Sequence, residues 1–400
     1  MIVRPIYLDW IVEAKDSEFI KVITGVRRAG KSFLLKMFLD HLLENGVAEE
    51  NIIYINFEDM NYDHLLTAKA LFAYLKETVI DGKTTYFLFD EIQLVEDWER
   101  VVNSLRVSFS SDIYVTGSNS KMLSGELATL LSGRTITIEM LPLSFTEFTT
   151  FNKTADEVTT NQLYDEYAEF GGFPAVVLQK TAALKTNALH SVFDTIVLND
   201  IAERGKIREI DVLKRVIKFL LDNIGQLISV KTIADTLTSA NMKTTTKSVS
   251  RYLELLEEAF LFYKVSRYDI RGKERLRSGA KYFVTDVGLR NKVLGRFAGN
   301  LGGQIENLVY LQLRRLGYEI FVGKLDNKEV DFVVVKDGVT KYVQVALELP
   351  KNTHETDNLI AIKDSFQKIV ITGKLEDIGM TDGIPIVHIV DFLENGLPTY

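Results

Sequence analysis

The chain has 400 residues, a formal charge of −8, 46% hydrophobic and 26% charged side chains, and no cysteine. Such a length predicts roughly two to four domains, and the composition is that of a globular protein. Disulfides, thiolate zinc sites and cysteine nucleophiles are excluded; the acidic balance excludes a surface basic on every side but leaves room for one basic patch.

The N-terminal stretch MIVRPIYLDWIVEAKDSEF is broken by charges and has no apolar signal core, and no run of about 18 uncharged apolar residues follows. A cytoplasmic protein without a membrane span is expected. Residues 19–43 then read strand, glycine loop, helix. Within them Gly25-Val26-Arg27-Arg28-Ala29-Gly30-Lys31-Ser32 has the spacing G-x-x-x-x-G-K-[ST], followed by Phe33. Glycines let backbone N–H groups turn towards a phosphate, and the helix N-terminus adds positive potential. Lys31 is expected to reach the β- and γ-phosphates of ATP, and Ser32 to ligate Mg2+. Arg27 and Arg28 have three candidate targets: nucleotide, a partner or nucleic acid.

INFEDM (55–60) and TYFLFDEIQ (85–93) read as buried strands ending in acids. Asp90 is expected to hold Mg2+ and Glu91 to polarise the attacking water. DIYVTGSNS (112–120) ends in small polar residues, where Asn119 is the expected γ-phosphate sensor, with Ser118 next in order. Arg134 stands at a loop-to-strand step. It is expected either to stabilise transition-state charge from a neighbouring subunit of a homo-oligomer or to form a surface ion pair. The alternation predicts a three-layer α/β P-loop domain over residues 1–155.

GVRRAGKS, YINFEDM, FDEIQLVEDWE, VTGSNS, LSGR and LPLSFTEF together resemble a group of prokaryotic AAA-superfamily ATPases. The resemblance continues through EFGGFPAVV, TDVGLRNKVLG and ENLVYLQLRRLGYEIF, and so covers nearly the whole chain. It implies that residues 25–32, Asp90 and Glu91 bind and hydrolyse ATP with Mg2+. It assigns no biological role to the C-terminal half.

Residues 156–207 are expected to form a helical lid and linker. Gly171-Gly172-Phe173-Pro174 there resembles the glycine-proline turn by which related signalling ATPases close a lid on the nucleotide base, with Pro174 at the base; an ordinary helix stop is the alternative. Residues 208–285 read as helix, short helix capped by Ser229, longer helix and hairpin, the order of a winged helix-turn-helix. Lys243, Lys247 and Arg251, spaced four apart, are expected on one face of the third helix, beside Thr244–Thr246 and Ser248. Residues 264–281 hold seven Lys/Arg against two Asp/Glu. Arg271, Lys273, Arg275 and Arg277 join the candidate contacts to double-stranded DNA, with Gly272 at the wing tip; a packing or protein-interaction module is the alternative.

Residues 286–400 resemble the restriction-endonuclease-like fold, read from a helix with Glu306, a strand with Asp331 and, across a Lys-Asp-Gly turn, a strand with Gln344 and Ala346. A working site of that type needs two strand acids for Mg2+ and a lysine to activate water. Gln344 is a poor ligand for a hard cation, and Ala346 supplies nothing. Rescue would need Glu348 to join Glu306 and Asp331 on the metal, and a lysine such as Lys324, Lys328 or Lys341 to take the catalytic place. The remnant of a nuclease site is expected, in a domain kept for DNA, protein or subunit contact; an unrelated α/β domain is the alternative. No histidine pair has metal-ligand spacing. The expected whole is an ATP-driven switch or motor coupled to DNA; the alternatives are a signalling ATPase that recruits a protein partner, and an ATP-gated nuclease.

Overall fold

A computed structural model describes residues 4–80, 82–120, 131, 133–152, 158–295, 299–349 and 354–398. The side chain of Arg277, one of the candidate DNA contacts, lies outside the described residues. The chain folds into two compact units, residues 1–142 with 258–260, and residues 143–257 with 261–400.

In the first unit α1 (Pro5–Glu13) is followed by β1 (Ile20–Thr24), α2 (Lys31–Glu44), β2 (Ile52–Asn56), α3 (Ala68–Thr78), β3 (Thr85–Asp90), α4 (Trp98–Ser108), β4 (Ser111–Thr116) and β5 (Thr135–Glu139). The strands pair in the order β2-β3-β4-β1-β5, and every pairing is parallel. Helical crossovers impose that direction, and a sheet covered on both faces needs nearly unbroken apolar strands. β1 (IKVIT) and β3 (TYFLFD) are buried at every position. Phe87, Phe89, Trp98, Leu105 and Val115 fill one side of the core. Lys21 breaks the apolar run, and its fully buried ammonium is paired with Asp112. That carboxylate also accepts from the Tyr114 hydroxyl at 2.9 Å and the Asp16 N–H at 2.8 Å, so neither charge is left bare.

The second unit opens with α5 (Phe145–Asn152), α6 (Thr160–Phe170), α7 (Pro174–Val177) and α8 (Ala182–Thr195), which continues as a π-helix over Ile196–Glu203. α9 (Ile210–Asp222), α10 (Val230–Ser239) and α11 (Thr246–Glu258) lead into the antiparallel pair β6 (Phe262–Asp269) and β7 (Glu274–Val284). α9 is held by one apolar face (Val212, Leu213, Val216, Ile217, Leu220, Leu221). Ser229 caps α10 by accepting from the Thr232 N–H at 3.0 Å. A bridge joins Ile228, just before α10, to Ala280 in β7. α12 (Val287–Leu294), α13 (Leu301–Arg315), β8 (Glu319–Leu325), β9 (Lys328–Lys336), β10 (Val339–Ala346), α14 (His354–Ile360), β11 (Gln367–Thr372), β12 (Gly379–Thr381), β13 (Ile384–His388) and α15 (Ile389–Asn395) complete it.

The eight strands of this unit form one sheet, β12-β13-β11-β10-β9-β8-β6-β7. The β6–β7 hairpin joins the later strands through a parallel pairing of β6 with β8, across the point at residue 285 where the sequence suggested a boundary. β9 and β10 form the hairpin anticipated from the Lys-Asp-Gly turn. Asp337 (φ 50°) and Gly338 (φ 78°) are both left-handed, the pair of conformations that a tight two-residue turn demands.

Candidate functional site

At the carboxyl end of the parallel sheet, residues 25–30 leave β1 and wrap towards the first turn of α2. Gly25 (φ 131°), Arg28 (φ 70°) and Gly30 (φ 106°) have positive φ, so successive N–H groups line a concave surface. A β-carbon on Gly25 would stand 2.2 Å from the Met140 carbonyl oxygen, which fixes glycine there. Lys31 is buried, its Nζ donating to the carbonyls of Gly25 (3.0 Å) and Val26 (3.2 Å), so its ammonium is folded over the loop. Arg27 pairs with Glu58, and Phe33 is 61% exposed.

Sequence reading missed the brace beneath this loop. The buried Arg4 guanidinium donates to the carbonyls of Ala29 (3.0 Å) and Leu141 (2.9 Å), and lies over the Tyr7 ring, whose hydroxyl accepts from the Leu141 N–H at 3.1 Å. Arg4→Ala leaves buried carbonyls unsatisfied, at about 1–3 kcal/mol. It is expected to weaken ATP binding roughly tenfold. Nucleotide titration of the variant checks this, and unchanged affinity would separate Arg4 from the loop.

Asp90 and Glu91 stand together at the end of β3, and a second missed residue joins them. Thr116, at the end of β4, donates its hydroxyl to Asp90 Oδ1 (2.6 Å) while accepting from the Glu91 N–H (3.0 Å). Burial pushes the Asp90 carboxyl above the usual range, against hydrogen bonds from Thr116 and Ser32. The facing hydroxyl of Ser32 and carboxylate of Asp90 are a hard-oxygen pair suited to Mg2+, which is normally held by one or two protein oxygens plus substrate phosphates. Glu91 is left-handed (φ 55°), and its carboxylate engages the Gln93 amide and the Ser118 hydroxyl (3.4 Å). Ser118 is thus the residue placed on Glu91; the expected sensor Asn119 is its half-buried neighbour. Arg134 is exposed and donates to Asn103 Oδ1 of its own chain at 3.1 Å.

In the second unit Gly171 caps α6, and Pro174 opens α7. The Gly-Gly turn is gripped by Asp286, the N-cap of α12, which accepts from the Gly172 N–H (2.7 Å) and the Gly288 N–H (2.8 Å). A β-carbon on Gly171 would fall 1.9 Å from Asp286 Oδ1. Asn291 and Gln304 donate to the last carbonyls of α6, at Ala168 (2.8 and 2.6 Å) and Glu169 (3.0 Å, from Asn291). Two motifs far apart in sequence, GGFP and TDVGL, thus form one joint.

The basic face differs from expectation. Thr245 caps α11 through the Ser248 N–H (3.1 Å), so the helix begins at Thr246 and Lys243 lies outside it. In the β6–β7 segment Arg271 pairs with Asp326 at 2.7 Å and Arg275 with Glu319; Lys273 is exposed at the turn. Lys247 and Arg251 instead line an open cleft of about 460 Å³ with Lys206 and Arg208. Glu209 in its lining is hydrogen-bonded to the Tyr252 hydroxyl, and Arg251 pairs with Glu254 at 3.3 Å.

Lys281 does not belong to that face. It is 1% exposed, and its Nζ meets Glu306 Oε1 (2.7 Å), Glu329 Oε1 (2.8 Å) and Asp331 Oδ1 (3.1 Å). Glu306 and Asp331 are therefore brought together as expected, but around a lysine from β7. Lys328 is exposed, and Lys341 donates to the Pro398 carbonyl at 3.3 Å. Glu348 is exposed beyond the end of β10, and Gln344 Oε1 accepts from the Asp331 N–H at 3.3 Å.

Comparison with known proteins fits this division. Residues 17–149 match the family model of an AAA domain, and residues 161–299 a domain of unknown function. The chain is 49% identical over 395 residues to an uncharacterised protein of Haemophilus influenzae, covering 98% of both. It is 34% identical over 373 residues to one of Methanocaldococcus jannaschii, covering 90% of this chain and 81% of the other. A Walker-type ATPase of Pyrococcus abyssi shares the fold, with a TM-score of 0.51 and 15% identity, over 73% of this chain and 96% of that one. No helix among the described residues is long and apolar enough to cross a membrane.

Proposed function

Because the chain belongs to one family with these Haemophilus and Methanocaldococcus relatives and its residues 17–149 match the AAA domain, we propose that it hydrolyses Mg-ATP and uses the nucleotide state to control a grip on double-stranded DNA. The observation that carries the first half is the Asp90–Thr116–Glu91 linkage beside the loop of Gly25–Ser32. In this reading the loop N–H groups and Lys31 hold the β- and γ-phosphates. Ser32 and Asp90 would hold Mg2+, which when bound neutralises phosphate charge. Glu91 orients the attacking water and takes its proton, and Ser118 and Gln93 fix the carboxylate for that task.

The DNA half is supported by the helix order α9–α11, the hairpin after it and the Ile228–Ala280 bridge, which suit a winged helix. It is supported further by the cleft lined with Lys206, Arg208, Lys247 and Arg251. Four phosphate contacts predict that log affinity falls with log salt at a slope near −3.6, at about 0.9 per contact. Lys206→Glu with Arg208→Glu is expected to remove about half of that slope. Fluorescence anisotropy with a labelled duplex at several salt concentrations measures both. Binding that ignores salt, or a double variant that binds like the wild type, removes DNA from the reading. ATP turnover unmoved by DNA would then favour a protein-recruiting switch.

A further inference from the structure

The acid cluster of the second unit is already filled. Three carboxylates converge on the Lys281 ammonium, and that ammonium has three N–H donors, one for each of Glu306, Glu329 and Asp331. Convergent carboxylate oxygens are what a hard divalent cation takes. Here the ligand distances of 2.7, 2.8 and 3.1 Å are those of charge-assisted hydrogen bonds. Among the described residues no group of three or more His, Cys, Asp or Glu is arranged to hold a metal ion, this one included.

The surroundings close the cluster on the side of Glu306 and Asp331. Asp331 turns its other oxygen, Oδ2, to the Val345 N–H at 2.9 Å. The left-handed Gly225, in the turn after α9, lies so near that a β-carbon there would stand 2.4 Å from Glu306 Oε2. That turn is itself tied to α13, since Asn300, its N-cap, donates to the Ile224 carbonyl at 2.7 Å. The side chains of Lys281, Glu306 and Asp331 are 1%, 10% and 12% exposed, while Glu329, at 36%, forms the open side of the cluster. The three neighbouring acids hold the lysine well above its usual pKa despite burial, which keeps it charged. Burial pushes the Glu306 carboxyl up, and the Asp331 carboxylate adds to the push.

We propose that Lys281 is a resident cation, standing where Glu306, Glu329 and Asp331 would otherwise hold a divalent metal. The cluster then fastens β7 to α13 and β9, and it needs no metal. The sheet of the second unit gathers three carboxylates around one point and has put its own ammonium there. Removing that side chain should therefore uncover a metal site that the wild type lacks.

The test is Mn2+ binding without nucleotide, followed by electron paramagnetic resonance and by thermal unfolding, on the full chain. Wild type, Asp331→Asn, Lys281→Ala and Lys281→Ala with Asp331→Asn are compared. Wild type and Asp331→Asn are expected to bind the same amount of Mn2+. Lys281→Ala is expected to take up one further equivalent and to gain roughly 5 °C or more in Tm at about a hundredfold excess over Kd; the double variant loses both. A folded Lys281→Ala protein with no further Mn2+ overturns the proposal, as does wild-type Mn2+ uptake that depends on Asp331. Where the alanine variant unfolds, Mn2+ should restore its fold, and a chain left unfolded in saturating Mn2+ overturns it equally. Mn2+-dependent DNA nicking by the wild type that Lys281→Ala abolishes would assign the lysine to catalysis instead.

Discussion

Replacing Glu91 by glutamine is expected to lower ATP turnover by about two to four orders of magnitude while leaving nucleotide affinity within a few-fold. Glutamine keeps the length and the hydrogen-bonding reach of the side chain but cannot accept a proton from water. The surrounding contacts hold the position for this purpose. Glu91 sits in a left-handed conformation, which costs on the order of 1 kcal/mol or more in a residue with a β-carbon. The Thr116 hydroxyl offsets that cost by accepting the Glu91 N–H, and Gln93 and Ser118 engage the carboxylate. Lys31→Ala should behave differently, losing affinity as well as turnover, because the lysine lies over the phosphate loop. Steady-state hydrolysis and nucleotide titration of both variants separate the two roles. A Glu91→Gln protein that turns over like the wild type would move the base elsewhere on the sheet edge.

The parts of this protein that were legible in its sequence are those whose chemistry is local. A phosphate loop needs its glycines, lysine and serine within eight consecutive positions, and two strand-end acids need only be adjacent. Ser229 capping α10 and the Asp337-Gly338 turn were readable for the same reason. Contacts that close over long stretches of chain were not. Arg4 looked like one charge in a mixed N-terminal segment, yet it meets a carbonyl 137 residues away. Thr116 is an ordinary β-branched strand residue until β3 and β4 are laid side by side. Lys281 was counted into a basic segment because its neighbours in sequence are basic. Its position in the apolar run Ala280–Val284 was the available signal, since a lysine there must be either exposed or paired. The charge count hid a further fact: Arg271 and Arg275 meet acids contributed by later residues, Asp326 and Glu319. Only the three-dimensional arrangement brings Lys206 and Arg208 beside Lys247 and Arg251 in one cleft.

The joint between Gly172 and Asp286 leads to a prediction about pH. Burial raises the Asp286 carboxyl to about 7, outweighing the Gly172 and Gly288 N–H groups and the Arg315 guanidinium, which all favour the charged form. In the unfolded chain the same group titrates near 3.9. Between those values the folded protein holds a proton that the unfolded chain has lost. The stability this group contributes is therefore complete below about pH 4 and is lost as pH rises through about 7. The slope is about 1.4 kcal/mol per pH unit, on the order of 4 kcal/mol across the window. Carboxylates with lowered pKa, such as Asp16, act in the opposite sense, so the group must be isolated by difference. Asp286→Asn keeps one acceptor for the two glycine N–H groups and cannot titrate. Urea unfolding of wild type and variant from about pH 4 to 8 should give a stability difference that shifts in favour of the variant as pH rises. A difference independent of pH would mean that Asp286 is ionised throughout, and that its grip on the Gly171-Gly172 turn is carried by a full negative charge.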